Sequence, residues 1–199
     1  MLSHKLREAM AREDEDRKLF GEVEIDGAYF GGYVKPANDK DNRRDRRLLI
    51  NQTGKRQNVV VMRERGGQSV VTVHKAEAAG VASVRATVDP EAVIHADEAS
   101  HWDALHAQYE MRRINHSVTY SDGLACTNMA ESFVSRLRRM EIGTHHHIAG
   151  TYLSAYAGEA SWREDNRREA NGTQAAMVGG APMASPVSRN WKGYWQRGQ

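Results

Sequence analysis

The chain has 199 residues, 40% of them hydrophobic, and 28 Lys and Arg against 26 Asp and Glu, for a net charge of +2. This length suits one compact domain with a real core plus some periphery, and overall charge says little about partners. A mean hydropathy of −0.70, no run near the roughly 18 to 20 apolar residues of a membrane span, a charged Met1–Glu8 start and a single cysteine, Cys126, argue against a membrane protein, a signal peptide, an internal disulfide and a Cys-cluster zinc site, and fit a reducing cytosol.

Residues 2 to 20 read as a short charged helix, with Leu2, Leu6, Met10 and Leu19 as its apolar anchors. Strand patterns follow at 22 to 30, at Asn58 to Met62 and at Ser69 to His74, with Gly66-Gly67 as a hairpin signal between the last two. An Ala-rich helix at about 75 to 86 leads through Asp89-Pro90 to an apolar strand at 92 to 96. A helix at about 98 to 109 carries Trp102, Leu105 and Tyr109, Met111 to Val118 reads as a fifth strand, and Asp122-Gly123 as a turn. Two more helices are predicted at about 127 to 140 and 148 to 166, and the Gly-, Ala-, Ser- and Pro-rich stretch from Asn171 reads as a loosely packed or disordered tail. The order β-β-β-α-β-α-β-α-α predicts an α/β fold, a mixed sheet with helices on its faces. The divisions are a helical lead-in at 1 to 20, a main domain at 21 to 168 and a tail at 169 to 199.

Three carboxylates stand out. Asp26 falls in a strand whose Val23, Ile25 and Tyr29 alternate with Glu22, Glu24 and Asp26, so it points away from the Ile25 face; a solvated acid on an edge strand is the plain alternative. Asp97 closes an apolar strand just before a helix, where open α/β sheets bind ligands, although Asp is also a preferred helix cap. Glu131 lies on the polar row Asn128, Glu131, Ser135, Arg138, opposite the apolar Met129, Ala130, Phe133, Val134, Leu137 and Met140. A carboxylate followed two turns later by a guanidinium suits a metal ligand with a phosphate-binding cation, or a plain solvated face. Two strand acids and one helix acid are what a nuclease-like fold needs to hold a pair of divalent cations for phosphodiester displacement.

Segment 35 to 56 holds Lys35, Lys40, Arg43, Arg44, Arg46, Arg47, Lys55 and Arg56 against Asp39, Asp41 and Asp45. Its position directly after the Asp26 strand favours binding of a DNA backbone without base specificity over a merely solvated loop. Adjacent side chains such as His145-His146-His147 do not converge on one metal ion, so a phosphate-touching loop or an exposed tract is the better reading.

The runs Gly21-Glu22-Val23-Glu24-Ile25-Asp26-Gly27-Ala28-Tyr29-Phe30-Gly31-Gly32, Thr127-Asn128-Met129-Ala130-Glu131-Ser132-Phe133, Leu137-Arg138-Arg139 with Gly143-Thr144-His145-His146-His147-Ile148, and Trp162-Arg163-Glu164-Asp165-Asn166-Arg167-Arg168 occur in an order that resembles bacterial insertion-sequence transposases of the ISXO-like group, from about residue 2 to 174. The resemblance implies a ribonuclease-H-like fold and a DDE-type transposase that cuts phosphodiesters at transposon ends and transfers the strand into target DNA. It implies Asp26 and Asp97 as the first two metal-binding acids, Glu131 or Asn128 as the third, and Arg138 in the basic place that follows. Glu131 is favoured, since a carboxylate binds Mg²⁺ more strongly than an amide. Also implied are two Mg²⁺ or Mn²⁺ ions, transposon-end and target DNA as partners, a homo-oligomer on that DNA, no membrane, and a place in the bacterial cytoplasm at the nucleoid.

The sequence departs from the group in three ways. Gly27 stands where a Glu usually follows the first Asp, and Cys126 where a His often precedes the Thr-Asn pair. The chain also starts only about twenty residues ahead of the catalytic strand, which reads as an N-terminally truncated copy holding mainly the catalytic domain. The rival expectations are a catalytically inactive DNA-binding remnant and a nuclease of the same fold that cuts without joining.

Overall fold

A nine-residue strand, β1 (Glu22–Phe30), organises the molecule. In this computed structural model, which describes residues 2–13, 15–31, 39–42, 56–114, 126–188 and 192, β1 is the middle strand of a five-stranded sheet ordered β3-β2-β1-β4-β5. On one side it pairs antiparallel with β2 (Gln57–Glu64), which pairs antiparallel with β3 (Ser69–His74). On the other side it pairs parallel with β4 (Val93–Asp97), and β4 pairs parallel with β5 (Glu110–Ile114). The β2–β3 turn is tight because Gly66 takes φ +73°, a conformation that glycine adopts without steric cost. This mixed α/β arrangement, a five-stranded sheet with helices on both faces, is ribonuclease-H-like.

Alternation along β1 and β2 feeds two cores. Val23, Ile25, Val60 and Met62 face one side, where α2 (Gly80–Thr87) supplies Val84 and the short, tightly wound helix Ser100–Leu105 supplies Trp102 and Leu105. Ala28, Phe30, Val59 and Val61 face the other, under Ala130, Phe133, Val134 and Leu137 of α3 (Asn128–Arg139) and Leu153 and Ala157 of α4 (Leu153–Asp165). Burying each such Val, Leu or Phe side chain stabilises the fold by roughly 1.5 to 3 kcal/mol. The sheet is thus covered on both faces, and a side chain pointing off β1 in either direction meets protein.

Several elements differ from the sequence expectation. The first helix, α1 (Leu2–Arg12), ends well before residue 20. Leu19 is fully buried, but in an extended segment bridged to Val88. The Ala-rich stretch divides into a single turn, Glu77–Ala79, and α2. The helix expected at 98 to 109 is only the tighter turn Ser100–Leu105, because Trp102 and Leu105, three residues apart, share one face of a three-residue repeat as readily as of a longer helix. Past α3 the chain continues through a wide turn, Met140–Thr144, and Gly150–Tyr152 precedes α4. The predicted tail contains a helix, α5 (Asn171–Ala184), none of whose residues is buried. Residues 115 to 118 and the Asp122-Gly123 turn lie outside the described residues. Among the described residues no helix is long and apolar enough to cross a membrane.

Candidate active site

The last registered pair of the parallel β1–β4 ladder is Glu24 with His95. Two residues further along each strand come Asp26 and Asp97, so the same register brings these acids to matching positions and the same face. That face is the one under α3, since Ala28 and Phe30 of the same alternating set lie in the α3–α4 core. Asp26 is therefore not a solvated acid on an edge strand: β1 is central, and its carboxyl is largely covered. Glu131 enters from the first turn of α3, where Thr127 Oγ1 donates to Glu131 Oε1 at 2.9 Å.

The charges of the other acids act on Asp26. Burial pushes the Asp26 carboxyl up to about 7, and the charges of Asp97, Glu131 and Glu77 push the same way, against a 2.8 Å hydrogen bond that Asp26 Oδ1 accepts from the Gly27 amide. Asp97 Oδ1 accepts from the Ala99 amide at 3.2 Å, a local turn bond rather than a helix cap, since the cap of Ser100–Leu105 is Ala99. An all-oxygen donor set with surplus negative charge fits a hard divalent cation. Among the described residues, no three His, Cys, Asp or Glu side chains already converge on one point where an ion could be held.

Glu24 is a buried acid beside these residues that the sequence did not single out. It is fully buried, and its Oε2 accepts from the Met129 amide at 2.7 Å and the Ala130 amide at 3.2 Å. These are amides of the first turn of α3, which have no partner within the helix. Its other oxygen, Oε1, accepts from Arg65 Nε at 2.9 Å and from Cys126 Sγ at 3.5 Å. A carboxylate at a helix N-terminus is favoured by the helix dipole, and here it pins the start of α3 to the strand that carries Asp26. Its signal in the sequence was the two-residue spacing from Asp26 within an acid-rich β-forming run. Glu77, from the turn after β3, gave no comparable signal.

The remaining candidates are placed as follows. Asn128 is exposed at the first position of α3. Arg138 is exposed, with its guanidinium carbon 5.2 Å from the Phe30 ring centroid, and Arg56 lies 5.2 Å from that of Tyr29. Lys40 is exposed in the turn Lys40–Asn42, whereas Lys35, Arg43, Arg44, Arg46, Arg47 and Lys55 lie outside the described residues. His145 packs edge-on against Tyr156, their centroids 4.6 Å apart.

No curated protein matches the chain. The family model described as the ISXO2-like transposase domain matches residues 18–165, a span that contains the whole sheet, Asp26, Asp97, Glu131 and α4. The chain therefore belongs to the ISXO2-like transposase domain family, whose members act on DNA in transposition and generally use divalent metals.

Proposed function

We propose that the protein is a DDE-type transposase catalytic domain that cleaves phosphodiesters at transposon ends and transfers the freed strand into target DNA. The observation that carries this reading is the meeting of charges at Asp26: acids from two adjacent parallel strands and one helix bear on a carboxyl that the fold buries. Asp26, Asp97 and Glu131 would hold two Mg²⁺ or Mn²⁺ ions. When bound, such a pair supplies charge stabilisation to the attacking and leaving oxygens of the displacement.

The chain's own residues position the reaction. Glu24 fixes the start of α3 against β1 and so sets where Glu131 stands relative to Asp26. Thr127 holds the Glu131 carboxylate by a hydrogen bond. Arg138, with Lys35, Lys40, Arg43, Arg44, Arg46, Arg47, Lys55 and Arg56 of the basic segment, would contact DNA phosphates, and two copies on one DNA would bring ends together. Glu131 is favoured over Asn128 as the third ligand because its charge acts on the Asp26 carboxyl and a carboxylate binds Mg²⁺ more strongly than an amide.

A strand-transfer assay with a pre-cleaved DNA end and Mn²⁺ tests this. The wild-type chain should join the end to target DNA, and Asp26→Asn, Asp97→Asn and Glu131→Gln should each abolish joining while leaving the fold intact. Joining that survives Glu131→Gln but not Asn128→Ala would pass the third ligand to Asn128. Cutting without joining would mark a nuclease of this fold, and neither activity in the wild type would mark an inactive DNA-binding remnant.

A further inference from the structure

Glu164, near the end of α4, holds three arginines. Its Oε1 lies 3.0 Å from Arg63 Nη2 and 3.1 Å from Arg167 Nη1, and its Oε2 pairs with Arg136 Nη1. The neighbouring Asp165 is already occupied: it accepts from the Ser69 amide and hydroxyl at 3.0 and 2.6 Å and pairs with Arg17 at 2.8 Å. Four guanidiniums thus meet two carboxylates where α3, α4 and the β2–β3 hairpin come together. Arg139, one turn from Arg136 on α3, adds a cation whose one hydrogen bond among the described residues is to the Ser135 carbonyl at 3.4 Å.

Fastening α4 to the sheet needs only the inner pair. The Arg63 and Glu164 side chains are 6% and 8% exposed, and a buried charge requires such a partner. Arg136 and Arg167 are each 42% exposed, and outer ion pairs of this kind contribute little to stability. Each turns one nitrogen to Glu164, which leaves the rest of a planar fork that suits phosphate. Burial and the charges of Arg167, Arg63 and Arg139 all oppose the Arg136 cation. An anion held between Arg136 and Arg167 would relieve that surplus.

The cluster also has a definite place. Arg63 stands opposite Glu24 in the β1–β2 ladder, and Phe30, beneath Arg138, lies six residues beyond Glu24 along β1. At roughly 3.3 Å per residue this is a separation of about 20 Å, with Asp26 between. On α3, Arg136 and Arg138 point about 200° apart. The arginines of Glu164 and Arg138 therefore lie to either side of Asp26.

We propose that Arg136 and Arg167, gathered on Glu164 with Arg139 beside them, form a second phosphate-binding site for the DNA backbone, across the acids from Arg138. This rests on the reading of DNA as the partner. It gives Arg167 a task within the run Trp162 to Arg168, which the reaction above leaves without one.

Duplex binding by the full chain in EDTA, followed by fluorescence anisotropy across a salt series, tests the assignment. Arg167→Ala should reduce the steepness of the log affinity against log salt plot by about 0.9, and Arg136→Ala with Arg167→Ala by about 1.8, equally for every duplex sequence. Arg167→Lys, which keeps the charge, should retain the wild-type slope. Both alanine variants remove a partner of Glu164 and should melt slightly lower, but a merely structural pair would not move the slope. An unchanged slope in Arg167→Ala, with Arg138→Ala still flattening it, would overturn the inference and leave the DNA reading intact. Absence of salt-dependent duplex binding in the wild type would overturn both.

Discussion

Asp26 binds its proton far more tightly in the folded chain than an ordinary aspartate, with a pKa of about 7 against 3.8, because burial and neighbouring acids oppose its charge. A carboxyl raised in this way contributes stability that is fully present below about pH 4 and is lost as pH climbs through about 7. Asp26→Asn removes the titration, so its melting temperature in EDTA should match the wild type in acid and exceed it increasingly from about pH 4 to about pH 8. Referring each value to the variant cancels the histidines, of which buried His95 has a lowered pKa and titrates in the opposite sense. Mn²⁺ should reverse the order at pH 8 by stabilising only the wild type. A gap between the two proteins that ignores pH would show that Asp26 is not a buried charge. At this scale strand alternation and helical spacing gave the faces of Asp26 and Glu131, whereas the grouping of Asp26, Asp97 and Glu131 into one site came from the family resemblance. Glu24 was not legible, because what sets it apart is a partner more than 40 residues away, which no local period reports.

The element that matters most is α3, and its register on the sheet depends on one buried side chain. Glu24→Ala would leave the Met129 and Ala130 amides without their acceptor and Arg65 without one of its two carboxylates, the other being Glu22. Leaving buried polar groups and a part-buried charge unmatched should cost about 3 kcal/mol, read as a lower denaturant midpoint at unchanged slope. Metal affinity should fall with it, since Glu131 would no longer be held toward Asp26; an unchanged midpoint would show that α3 is placed by its apolar face alone. Strands β1 and β3 were readable to the residue because alternating β-formers end abruptly at Gly31 and Lys75. The segment after β4 was not, since Trp102 and Leu105 satisfy two helical periods at once. The stretch after residue 170 contains a helix that its Gly and Pro did not suggest, although Ala175, Ala176 and Ala181 favour it, and none of the residues of that helix is buried.

Across the whole molecule a net charge of only +2 conceals a separation of sign. Acids lie at the middle of β1, the end of β4 and the first turn of α3, while Arg136, Arg138 and Arg139 crowd the last turn of that same helix. The arginines are not equivalent: Arg136 is tied with Arg63 and Arg167 to the single carboxylate of Glu164, whereas Arg138 stands exposed over Phe30. A polyanion approaching the acid cluster needs cations beside it, and Arg138 lies on the polar row of α3 two turns beyond Glu131. Arg138→Ala should therefore weaken binding of random and transposon-end duplexes by the same factor. It should also reduce the steepness of the log affinity against log salt plot by about 0.9, the loss of one phosphate contact. Arg136→Ala makes the contrast, because it also unbalances Glu164 and should lower thermal stability, which Arg138→Ala should not. A salt slope left unchanged by Arg138→Ala would remove that residue from the DNA path and leave phosphate binding on its flank to the basic segment between β1 and β2.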